Sequence, residues 1–218
     1  LFTDMNALDM RFIGRPLSAL ADVGSVFMVF VLGRRLYGQG VGLLAAGLTA
    51  LAVIHVQNSH FYRPETFTVF FTLASFWAML RMVDRKRYRD SALLGLMLGL
   101  ALAPKVTVLP LLAPLALVYW YRVLDEVDGR WSDITPELVQ RILGNAAVAA
   151  AVTVAVFFVS APYAFLDFGA FVADLTAQTR MAGNAGLWPF TVQYIDTPAF
   201  LYQIRQTSVW GLGLPLGA

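Results

Sequence analysis

An all-α, polytopic transmembrane helix bundle is the fold class this sequence predicts, on three observations. Hydrophobic residues make up 58% of the 218 positions and charged residues 14%, against roughly 45–50% and about 25% in an ordinary soluble domain. The apolar residues gather into six stretches with little charge inside them, more than a soluble core of this size can absorb. Lys and Arg concentrate in alternate connections between the stretches, the bias that orients membrane helices.

The stretches are Leu17 to Gly33, Val41 to Val56, Phe67 to Leu80, Ala92 to Ala103, Val106 to Tyr121 and Ile142 to Ala161. Several fall short of the roughly 20 residues that cross a bilayer unaided. Short spans still cross when other helices surround them or when flanking polar residues snorkel. Gly and Ala within them, notably Leu94-Gly-Leu-Met-Leu-Gly99, let backbones approach closely where lipid gives no other drive to associate. About six spans are therefore expected.

One set of connections carries Arg34 and Arg35, then Arg81, Arg85, Lys86, Arg87 and Arg89, then Arg122, Arg130 and Arg141. These are ten of the sixteen basic residues, and that side reads as cytoplasmic. The two short connections on the other side hold only Arg63 and Lys105, and read as exoplasmic. The same bias makes Ala92 to Tyr121 a hairpin turning at Lys105 rather than one span broken at Pro104, since a single span would reverse the asymmetry.

Four regions follow. Residues 1–16 read as the end of an outer loop, 17–161 as membrane helices, 162–208 as an exoplasmic loop with an amphipathic portion from Phe168 to Leu175, and 209–218 as the start of a further span. Asp125 to Arg141 reads as a solvated cytoplasmic loop with a short helix. The chain opens on Leu1 and stops as an apolar segment begins, so it reads as part of a longer protein, and no segment has the form of a cleavable signal peptide.

Cysteine is absent, which removes disulfides, thiolate metal sites and cysteine nucleophiles. The formal charge of +2 gives no basic field for nucleic acid. The chemistry concentrates instead in His55-Val-Gln-Asn-Ser-His60-Phe-Tyr-Arg-Pro-Glu65, a dense polar segment at the outer membrane boundary, where such groups are costly unless paired or working. His55, His60 and Glu65 are ligand types, but intervals of five put no two on one helical face, so they do not read as a zinc site. An anion site fits better: Arg63 and Lys105 converge on a phosphate while Glu65 and His60 handle protons or hydroxyls. Asp22, alone within the first span, needs a partner or water. With Arg15, Arg180 and Tyr163 it forms a second line of candidates.

Four segments in order, Gly14-Arg-Pro-Leu-Ser-Ala-Leu20, Leu32-Gly-Arg-Arg-Leu-Tyr-Gly38, Ser59-His-Phe-Tyr62 and Gly99-Leu-Ala-Leu-Ala-Pro-Lys105, resemble the dolichyl-phosphate-mannose protein mannosyltransferases and their bacterial relatives. Pro189 to Tyr194 and Trp210 to Leu216 are similar to bacterial members in which a long outer loop returns to the membrane. The resemblance implies an outward-facing membrane glycosyltransferase, with a polyprenyl-phosphate sugar as donor and a lipid, glycan or protein as acceptor. It implies Glu65 as a catalytic residue, standing where relatives have aspartate, with His60, Tyr62, Arg63 and Lys105 binding substrate. It also implies a general base in the first outer loop, of which Leu1 to Ile13 resembles only the end, with Asp4 and Asp9 its acids. A divalent cation is left open as a cofactor. The alternative reading is a transporter or flippase-like permease, but the first three stretches do not pair with the last three as inverted repeats do, and the polar groups gather at one face rather than the midplane.

Overall fold

The computed structural model describes residues 7–213 except 129, 187, 190 and 199. Among these there are helices and turns and no strand. Each of the six apolar stretches becomes helix. In order they are α1 (Ala7–Tyr37), α2 (Gln39–Leu51) with α3 (Val53–Ser59), α4 (Pro64–Arg85), α5 (Tyr88–Leu102), a 3-10 turn (Val106–Leu111) leading into α6 (Leu112–Glu126), and α7 (Pro136–Ser160). Behind them come α8 (Tyr163–Leu166), α9 (Phe168–Gly183) and α10 (Leu201–Gln206), the last running into a π turn at Thr207–Leu212.

Contacts between named residues fix the direction of each leg. Ser18 lies against Thr66 at 3.3 Å and Arg35 against Asp84 at 2.5 Å, so α1 and α4 run parallel. Gly33 meets Gly42, and His55 meets Asp22, so α2 and α3 return alongside α1. Arg81 bonds to Asp90 at 2.5 Å and Lys105 to Glu65 at 3.0 Å, so α5 runs back along α4. Lys86 reaches Asp125 at 2.6 Å, which brings the end of α6 to the end where α5 begins. Ala92 to Tyr121 is therefore a hairpin, as the distribution of basic residues predicts. Arg35, Arg81 and Lys86 bond at one end of the bundle, where Arg141 also pairs with Glu126; Lys105 lies at the other.

Four helices are long and apolar enough to cross a membrane, Phe12–Tyr37, Pro64–Arg85, Val106–Glu126 and Pro136–Ser160, and five if α2 and α3, bent by 60°, count as one span. Against the expected six, the shortfall is α5. Its 15 residues span about 22 Å at 1.5 Å per residue, under the ~30 Å hydrocarbon core. Much of it is enclosed: Ser91, Leu94, Gly95, Leu98, Gly99 and Ala101 are buried, with α4 on one side and α7 on the other.

The α5–α7 interface is parallel and built on small residues four apart. Ser91 Oγ donates to Asn145 Oδ1 at 2.8 Å. A Cβ on Gly95 would stand 2.4 Å from the Ala149 carbonyl oxygen, and one on Gly99 would stand 2.7 Å from Val156. Close backbone approach is what such spacing provides in lipid, where apolar burial gives little drive. Outward, large apolar side chains stay open, Leu117 at 67% and Val159 at 78%, a surface suited to acyl chains and not to water.

Three boundaries differ from the sequence expectation. α1 starts at Ala7, ten residues ahead of the apolar stretch, and carries Pro16 inside it, so residues 7–16 are helical and not loop. The arginine-side connection narrows to residues 127–135, because α7 begins at Pro136, with Thr135 Oγ1 accepting from the Leu138 amide at 3.2 Å. The expected short helix there is one 3-10 turn, Trp131–Asp133. The region after Ala161 holds the 16-residue α9, with Asp167 Oδ1 accepting from the Ala170 amide at 3.1 Å at its start. Residues 214–218, part of the expected further span, and Asp4 lie outside the described residues.

Candidate active site

Two connections at the end away from the arginine cluster bring the polar side chains together. The first is the α3–α4 turn. Pro64 sits at the first helical position of α4, where its missing N–H costs nothing. The residue before a proline is pushed out of the α region, and Arg63 is extended (φ −122, ψ 145). α3 has already ended at Ser59, and the extended Arg63 starts α4 afresh, which leaves Glu65 in its first turn, at the positive end of the helix dipole. The second connection follows α5: Pro104 stops the helix, and Lys105 is extended (φ −160, ψ 113) ahead of the 3-10 turn.

These two breaks meet. Lys105 Nζ donates to Glu65 Oε1 at 3.0 Å across 40 residues of sequence. The two side chains are 41% and 39% exposed, so the pair is open to a ligand rather than sealed in a core. Arg63 is exposed beside it, its guanidinium 5.9 Å from the Phe61 ring centroid. Tyr62 packs on Gly14 and meets Phe67 edge-on at 5.9 Å. Tyr62 and Arg63 line a cleft of about 370 Å³ between α4 and the end of α5, closed by Phe67, Leu100 and Pro104.

His60 goes elsewhere. Its Nδ1 lies 2.6 Å from the Val56 carbonyl oxygen of its own helix, and it lines neither outer cavity. Of the five expected site residues, the structure thus joins Glu65 to Lys105, sets Arg63 and Tyr62 in the adjoining cleft and leaves His60 exposed at the end of α3. A second cavity, of about 220 Å³, lies between α1, α3 and α4 and is lined by Asp22, His55, Asn58, Glu65 and Thr66. Within it His55 Nδ1 and Asp22 Oδ1 are 2.6 Å apart. The sequence signal for this pair was the need of a lone acid in a span for a partner; which residue answered it required the approach of α1 and α3. Among the described residues no group of three or more His, Asp or Glu is placed to hold a metal ion.

The sequence profile of the dolichyl-phosphate-mannose-protein mannosyltransferase family matches residues 8–138, from α1 into the start of α7. The chain belongs to this family. The match covers well over half of the chain and contains Asp22, His55, Glu65 and Lys105. No curated protein and no solved structure matches. As a member of the mannosyltransferase family, the chain is a membrane glycosyltransferase.

Proposed function

We propose that the protein transfers a sugar from a polyprenyl-phosphate carrier to a lipid, glycan or protein acceptor on the exoplasmic face of a bacterial plasma membrane. The observation that carries this reading is the Glu65–Lys105 pair, 3.0 Å apart and open, at the end of the bundle opposite the arginine-rich connections. When the bond from anomeric carbon to phosphate breaks, charge builds on the departing phosphate. A cation fixed in a poorly hydrated site stabilises that charge better than water does.

Lys105 supplies the cation, and Arg63 adds a second from the cleft rim. Glu65 holds the ammonium in place and accepts a hydroxyl hydrogen from the sugar, while Tyr62 lines the approach. Phe67, Leu100 and Pro104 give the cleft an apolar wall suited to the first isoprene units of the carrier. Residues 162–208 stay on the exoplasmic side, where acceptors are met.

The test is sugar transfer from a labelled polyprenyl-phosphate donor by the full-length protein. Lys105→Ala is expected to abolish transfer with expression intact. Transfer at the parent rate would remove Lys105 from the site.

A further inference from the structure

The region after α7 encloses a pocket that the phosphate chemistry leaves unused. Its volume is about 590 Å³, and among the described residues it is lined by Gln178, Met181, Ala185, Thr191, Tyr194 and Gln203. These come from the last turns of α9, the connection that follows it, and α10. Thr191 Oγ1 lies 2.7 Å from the Ala185 carbonyl oxygen and 2.9 Å from that of Trp188, which closes the connection on itself. Tyr194 meets Tyr202 of α10 edge-on at 5.4 Å, so the wall is formed before any ligand arrives.

The pocket is neutral, and its polar groups both donate and accept. Gln178 and Gln203 are exposed, and neither side-chain amide has a hydrogen bond to protein among the described residues. Each amide carries an acceptor oxygen and two N–H donors, the complement of adjacent hydroxyls. Tyr194 and Met181 add an apolar surface suited to the C–H face of a sugar ring. Among the described residues no Asp, Glu, Lys or Arg lines the pocket, so a phosphate or carboxylate would enter it without a counter-charge. An extended peptide that binds through its backbone needs an open strand edge, and the described residues contain no strand.

α10 ties this pocket to the proposed site. It runs directly into the Thr207–Leu212 turn, where a Cβ on Gly211 would stand 4.0 Å from Ile54 Cβ. Ile54 and Glu65 line the same cavity. From Gln203 to Gly211 the chain advances eight residues, about 12 Å of helical rise, which is longer than one sugar ring.

From this placement we infer that the pocket is the acceptor site and that the acceptor is a neutral oligosaccharide. The inference rests on the sugar-transfer reading above and selects one of the acceptor classes that reading allows. One sugar unit sits between Gln178 and Gln203, and the units beyond it carry the reacting hydroxyl toward Glu65.

The experiment uses the full-length protein in detergent, with neutral trisaccharides of gluco, galacto and manno configuration as probes and titration calorimetry as the readout. At least one is expected to bind. The double variant Gln178→Ala with Gln203→Ala is expected to bind it at least about 10-fold more weakly, from the hydrogen bonds lost at two amides. Alanine favours helix, so folded yield is expected to hold. In sugar transfer the double variant should raise the KM for that trisaccharide by the same factor. Donor KM should stay within about 2-fold, because neither glutamine lines the cleft of Tyr62 and Arg63. Thr176→Ala, on α9 but outside the pocket, should bind as the parent does. Parent protein that binds none of the three, parent affinity in the double variant, or equal weakening in Thr176→Ala would overturn the assignment. So would binding of a serine-bearing peptide or a sugar phosphate in place of the trisaccharides. Trisaccharide binding that the double variant weakens, with no sugar transfer by the parent, would leave the saccharide site standing and refute the sugar-transfer reading instead.

Discussion

Gly95→Ala tests the packing that holds the site in place. The added methyl would stand 2.4 Å from the Ala149 carbonyl oxygen and 2.9 Å from Val152 Cβ, where ordinary contact begins near 3.4 Å. The nearest atom is backbone, which no rotamer change moves, so α5 and α7 must part by about 1 Å. Parting them weakens the Ser91–Asn145 bond of 2.8 Å and the Thr153 bond to the Gly95 carbonyl of 3.2 Å. Overpacking of this kind costs about 1–3 kcal/mol, and replacing glycine by alanine in a helix returns at most about 1 kcal/mol. With the full return, the net expectation is a loss of roughly 0–2 kcal/mol, a factor of up to about 30 in the ratio of folded to unfolded protein. Gly47→Ala is the internal comparison, because nothing lies within 4 Å of its added methyl, and it should be neutral or stabilising by up to about 1 kcal/mol. Thermal unfolding of both in detergent decides. Equal stability of Gly95→Ala and Gly47→Ala would refute the close-packed interface, and with it the argument that α5 is held by protein on both sides.

Other expectations follow from the same geometry. Arg122 is fully buried, with Nε 3.6 Å from Glu126. Glu126 keeps Arg141 as a partner, so the loss in Arg122→Ala is that of the packed stem, about 2–5 kcal/mol on the scale of large-to-small core substitutions, with Arg122→Met costing less because its stem still packs; detergent unfolding measures both. His60→Ala should leave both that unfolding and the donor KM close to the parent's, since the ring bonds only to its own helix and lines neither cavity.

The helices were legible because apolar runs and basic connections are properties of composition and order, which survive without coordinates. The hairpin at Lys105 followed from counting arginines, and the Glu65–Lys105 contact agrees with placing both residues in connections at the same end of the bundle. Other features required packing in three dimensions. Nothing local distinguishes Gly95 and Gly99 as the seam against α7 from glycines such as Gly40 and Gly47 that face open space. α1 runs through Pro16 and begins at Ala7, although its first ten residues have too much charge to mark a span. His60 stood in the richest polar segment, yet its ring bonds back to Val56 because α3 ends there. His55, five residues earlier, drew less weight and is the one that meets Asp22.

The most direct measurement concerns which end of the bundle recognises the sugar phosphate. Two lysine–carboxylate pairs stand at opposite ends, Lys105 with Glu65 at 3.0 Å and Lys86 with Asp125 at 2.6 Å, and both are partly exposed. Binding of a short-chain prenyl-phosphate mannose to purified protein should weaken about 100-fold in Lys105→Met, the loss of a charge-assisted phosphate contact worth about 2–3 kcal/mol. It should stay within about 2-fold of the parent in Lys86→Met. The reverse pattern, or equal binding by both variants, would contradict a sugar-phosphate site at Glu65 and Lys105.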